Sequence, residues 1–152
     1  MSSSNHLYLV SEASPDSLVD RIAEMCGFAV SDANDSLREK GDSWFGAAEV
    51  SKHDLAFIPR TYGIVPTVCI TFGFAKSSTL EKTQFVALSV CESIIREWNC
   101  DCVYLAHDGG ACVLQNKDGR LSLNLDYWNS WGNPAAKAIV TLPHVLEPLP
   151  QP

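Results

Sequence analysis

The chain has 152 residues, 46% hydrophobic and 19% charged, with a net charge of −7. That is one domain's length with apolar content enough for a core, which excludes a disordered or collagen-like chain. No apolar run reaches the roughly 18 residues of a membrane span, and the acidic balance speaks against nucleic acid and membrane as partners.

Met1-Ser2-Ser3-Ser4-Asn5 has neither a basic nor an apolar region of a targeting signal, so a cytoplasmic chain is expected. In that compartment Cys26, Cys69, Cys91, Cys100, Cys102 and Cys112 read as thiols, packed as small apolar side chains.

In chain order, Leu7–Ser11 has the length and composition of a strand. Ser14-Pro15-Asp16 then reads as an N-cap, a proline at the first helical position and an acid in the first turn. Leu18, Val19, Ile22, Met25 and Cys26 follow at helical spacing, and Gly27 is a natural stop. Phe28–Ser31 predicts a short strand, residues 32–42 a loop or hairpin turn, and Trp44–Val50 a weak, Ala-rich strand. Over residues 51–63 Ser51 offers a cap, but Pro59 would break the helix it starts.

Pro66–Phe74 is the clearest strand. Val68, Ile70, Phe72 and Phe74 fall on one face, and the small Thr67, Cys69, Thr71 and Gly73 on the other. One face therefore meets the core, and the other is lightly covered or exposed. Ser78-Thr79-Leu80-Glu81 fits a capping box with Ser78 as the cap. The stripe Leu80, Ala87, Leu88, Cys91, Ile94, Ile95 and Trp98 then predicts the longest helix, with Glu92 and Arg96 four apart on its other side. Cys102–Ala106, Ala111–Asn116 and Arg120–Leu125 read as a three-strand meander turning at His107–Gly110 and at Lys117-Asp118-Gly119.

The order β-α-β-β, then β-α-β-β-β, predicts an α+β fold: an antiparallel sheet of about six or seven strands with two main helices packed on one face. Residues 1–152 read as a single domain. A compact core covers 6–126, and an aromatic turn with a Pro-rich extended tail covers 127–152.

Few constellations carry chemistry. Cys100-x-Cys102, followed by His107 and Cys112, lies one residue short of a zinc-knuckle spacing. Cysteines two apart on a strand stand roughly 7 Å apart, so chelation would require the strand to bend, and no metal or other cofactor is expected. Any thiol could meet His53, His107 or His144 as a nucleophile–base pair, but nothing marks one thiol as activated. Phosphate-binding glycine loops and clustered bases do not occur.

Charge and aromatics are more informative. Residues 12–54 hold ten acids and four bases, which is −6 of the total of −7. Such a face is either a solvated surface or a landing site for a basic partner. Tyr127, Trp128 and Trp131 sit in a turn-rich segment, as core plugs or as contact anchors, and Trp44 beside the acidic loop poses the same choice.

Two stretches carry a family resemblance. Tyr62-Gly63-Ile64-Val65-Pro66-Thr67-Val68-Cys69-Ile70-Thr71-Phe72 resembles the glycine, then proline-threonine-valine strand of the swarming-inhibition (Sit) immunity proteins. Gly110–Leu114 with Asp118-Gly119-Arg120-Leu121-Ser122-Leu123-Asn124 is similar to that family's hairpin, which ends in a leucine-x-leucine-asparagine strand. Leu7-Tyr8-Leu9 before a helix and the late Pro148-Leu149-Pro150 are similar too. The resemblance covers about 110 residues, and its motifs are structural ones. It implies a non-enzymatic antidote, encoded beside a polymorphic toxin, that binds and occludes its cognate toxin domain in the cytoplasm.

Joined to the charge pattern, the expected contact set is Asp32, Asp35, Glu39, Asp42, Trp44, Tyr127, Trp128 and Trp131, facing a basic toxin surface. The alternatives from the residues alone are a small thiol- or His107-dependent enzyme and an adaptor domain.

Overall fold

The computed structural model describes residues 4–152. Its elements are β1 (Ser4–Leu9), α1 (Pro15–Cys26), β2 (Ala29–Val30), β3 (Arg38–Lys40), β4 (Ser43–Glu49), α2 (Lys52–Tyr62) and β5 (Val68–Phe74). Then come α3 (Leu80–Trp98), β6 (Cys102–Ala106), β7 (Ala111–Lys117), β8 (Arg120–Asn124), α4 (Leu125–Ser130), α5 (Pro134–Lys137) and β9 (Val145–Glu147). The strands form one sheet in the order β2-β3-β4-β5-β1-β6-β7-β8-β9. Neighbours are antiparallel except β8 and β9, which run parallel.

The fold is α+β as expected, but the sheet is larger than six or seven strands and is mixed. The two added strands lie where composition gave no strand pattern. One is β3, inside the expected loop 32–42, and the other is β9, between Pro143 and Pro148. Residues 127–152, expected as an aromatic turn and extended tail, also carry most of α4 and all of α5. Ala136 and Val140 there are core residues.

Alternation along each strand divides the interior in two. Leu7, Leu9, Phe45, Val68, Ile70, Phe72, Phe74, Cys102 and Tyr104 point to a first face, where α1 and α3 cover them. Tyr8, Val103, Leu105 and Cys112 point to a second face, where Ile58 and Tyr62 of α2 and Ile64 meet them. The helices therefore do not all lie on one face, since α2 takes the other side.

The helices start where side chains satisfy the first free amides. Ser14 Oγ accepts from the Ser17 N–H at 3.2 Å, and Gly27, in the left-handed region at φ 78°, closes α1. α3 is capped by Thr79, which accepts from the Lys82 N–H at 3.2 Å, rather than by Ser78. The helix thus begins one residue later than expected. Leu80 is 44% exposed, and Gln84 turns inward instead. Ser51 caps α2, whose Pro59 lies only one turn from the terminating Gly63. The proline forgoes one intrahelical bond but does not end the helix early.

Candidate functional site

The acidic ribbon is built by β3, β4 and the loop before them. Within that loop Asn34 Oδ1 accepts from the Ser36 N–H at 3.0 Å, and the Leu37 N–H donates to the Asn34 carbonyl at 3.0 Å. Asp32, Asp35, Glu39 and Asp42 are all exposed.

The neighbouring bases are turned away from them. Arg38, with a side chain only 12% exposed, pairs with Asp20 of α1 at 2.7 Å and donates to the Asp35 and Leu37 carbonyls. Lys40 donates to the Cys26 carbonyl at the end of α1 and lies 5.9 Å over the Phe28 ring. A cation at a helix C-terminus and over an aromatic face is already well satisfied. The two bases nearest the carboxylates are thus committed to α1 and Phe28.

Trp44 is half-buried. It points to the second face, opposite Phe45, and its indole lies over Gly73, where a β-carbon would collide with it. Glu39 stands directly across from it on β3.

The other three aromatics divide. Tyr127 and Trp128 are buried and take the core-plug alternative. Tyr127 Oη accepts from Gln84 Nε2 at 2.8 Å, and Trp128 Nε1 donates to the Val113 carbonyl at 3.3 Å. Their hydrogen bonds tie α4 to α3 and to β7. Trp131 is 57% exposed, with its ring 5.2 Å from that of His107, and lies outside the β3–β4 ribbon.

The cysteine–histidine set is not gathered. Cys102 points to the first face and Cys112 to the second, so the sheet stands between them. Among the described residues no group of three or more His, Cys, Asp or Glu side chains is placed to hold a metal ion. All six cysteines are free. The His107 Nε2 is buried with no hydrogen-bond partner among the described residues.

The open part of the second face holds side chains the sequence did not single out together. His6 Nδ1 lies 3.1 Å from Thr71 Oγ1 and 3.9 Å from Cys69 Sγ, and the Tyr8 hydroxyl donates to Asp54 Oδ2 at 3.0 Å. They line an open groove of about 600 Å³ between α2 and the turn at Asp108–Gly110. Burial pushes the Cys69 thiol up to about 11 and holds His6 below its ordinary value, the latter against the pull of Asp54 and Asp108. At neutral pH the pair is a protonated thiol beside a neutral imidazole, which is a poor nucleophile. The available signal was the run of small residues Cys69, Thr71 and Gly73. Its partner His6 on β1 is 63 to 65 residues away in sequence, and Tyr8 and Asp54 are 46 residues apart.

Among the described residues no helix is long and apolar enough to cross a membrane. A family model described as SitI3-like matches residues 5–134, from β1 to the start of α5. No curated protein and no solved structure matches the chain.

Proposed function

The chain belongs to the SitI3-like family, and from that premise we propose that it is an immunity protein that binds and neutralises a cognate bacterial toxin by occluding it, without catalysis of its own. The family match over residues 5–134 carries this reading. The family name suggests an immunity protein, and an antidote of this kind needs a rigid scaffold with a complementary surface, not a catalytic set.

The contact set is the acidic ribbon, Asp32, Asp35, Glu39 and Asp42, with Trp44 beside it and Trp131 as an outlying anchor. The partner is a toxin domain with a basic surface, met in the cytoplasm. The geometry supports this placement through the bases: with Arg38 committed to Asp20 and Lys40 to Cys26, the ribbon presents carboxylates with little compensation nearby. Opposite charge speeds the encounter, and a half-buried tryptophan slows release. Such a complex buries roughly 1,200–2,000 Å² in total.

The test is charge reversal. Asp32→Lys, Asp35→Lys, Glu39→Lys and Asp42→Lys together should abolish protection of cells expressing the toxin, while the melting temperature stays near that of the parent chain. Undiminished protection would show that the ribbon is not the contact.

A further inference from the structure

The second face of the sheet is only partly covered. Ile58 and Tyr62 of α2 pack over β6 and β7, and α2 leaves Ala48 of β4 and Thr71 of β5 exposed. Trp44 lies over Gly73 and Leu37 reaches Gly46, and the groove floor between them and α2 carries only Ala48, Cys69 and Thr71. Glu39 and Trp44 lie on the same face, further along toward the acidic ribbon. The groove's chemistry is one-sided. Glu49, Asp54 and Asp108 line it beside the rings of Tyr8 and Phe57, and among the described residues no Lys or Arg does.

We propose that this groove seats arginine or lysine side chains projecting from the cognate toxin's surface. The occupant rests on the immunity reading above. The chemistry rests on the groove itself. Carboxylates accept the paired donors of a guanidinium, and aromatic rings offer it their faces. The low sheet floor lets a long side chain lie flat along it. His6, which burial holds below its ordinary value, adds no opposing charge at neutral pH. A second copy of this chain is a poor occupant, because like surfaces of a chain with net charge −7 repel.

The experiment follows amide NMR signals of the full chain during titration with acetyl-Arg-Ala-Arg-amide, alongside affinity for the cognate toxin domain. Shifts should cluster at Tyr8, Asp54, Thr71 and Gly109. Thr71→Arg brings its own cation into the groove. It should erase those shifts and weaken toxin binding about a hundredfold, with the melting temperature unchanged. Glu49→Lys combined with Asp108→Lys should do the same from exposed positions, so the test stands even if the strand variant fails to fold. Shifts confined to residues 32–42, or spread evenly over the acidic surface, would overturn the proposal, as would full toxin affinity in the folded variants. A wild-type chain that seats the peptide in the groove but binds no toxin would instead overturn the immunity reading from which the occupant was taken.

Discussion

On the first face of the sheet, α1, α3, α4 and α5 bury a continuous core that runs from Phe28 and Phe45 through Ile70 and Phe72 to Leu123 and Trp128. On the second face, α2 and Leu149 gather a much smaller set around Tyr8, Tyr62 and Leu105, which Cys69 joins from β5, while Ala48 and Thr71 beside it stay exposed. The same strands supply both faces, so the difference lies in what the alternate residues are. Large apolar side chains on β5 demand a helical cover, while Cys69, Thr71 and Gly73 demand none. One face is therefore expected to hold the fold together, and the other to be free for recognition.

The sharpest way to break that comparison is on β5, where neighbouring residues belong to opposite faces. Phe72 is fully buried, edge-on to Tyr104 at 6.0 Å between ring centroids. Phe72→Ala should cost about 3–5 kcal/mol of stability by urea unfolding. A loss no larger than that of a surface substitution would mean the first face is not the stabilising one.

A smaller loss is expected at Gln84, which ties the end of the first face together. Its Nε2 donates to Tyr127 Oη and the Trp131 carbonyl, and its Oε1 accepts from the Asn133 N–H. Gln84→Ala takes this partner from the buried Tyr127 hydroxyl and from the part-buried Trp131 carbonyl and Asn133 N–H, and should cost about 1–3 kcal/mol. Amide exchange should quicken from residue 127 to 134 before it does elsewhere.

The smallest effect is pH-dependent. Burial disfavours the charged form of Glu92, but the Thr141 hydroxyl, the Thr141 and Leu142 N–H groups and Arg96 outweigh it and hold the carboxyl below its ordinary value. Because the folded state favours the carboxylate, this contribution is present above the unfolded carboxyl's range and is lost as pH falls through the lower folded value. The link from α3 to residues 141–142 should loosen on acidification, visible as amide exchange there. Glu92→Gln should show that looseness already at neutral pH and lose the acid dependence.

Local pattern was a good guide where one residue's neighbours decide its state. The alternation of β5 and the stripe of α3 are such cases, as is the Asp118-Gly119 turn. It erred by one residue at the α3 cap because Ser78 and Thr79 both carry a hydroxyl, and only the backbone path selects Thr79. It missed β3 because Arg38-Glu39-Lys40 has no apolar alternation and is held by pairing on both sides. It missed β9, whose three residues gain strand form only by lying along β8. Tyr127 and Trp128 could be core or contact until α3 and β7 were in place to bury them. The acidic ribbon was visible as charge. What could not be read was that Arg38 and Lys40 turn toward α1, since Asp20 and Cys26 reach them only through the fold. The groove is less legible still, being assembled from β1, β5, α2 and the Asp108–Gly110 turn.

The most direct measurement is a titration of the cognate toxin domain's activity with purified wild-type chain, read together with the stoichiometry of the complex. Inhibition should be complete at one chain per toxin domain, and the association rate should fall as salt screens the acidic surface. Full toxin activity in the presence of excess folded chain would contradict an antidote that works by occlusion.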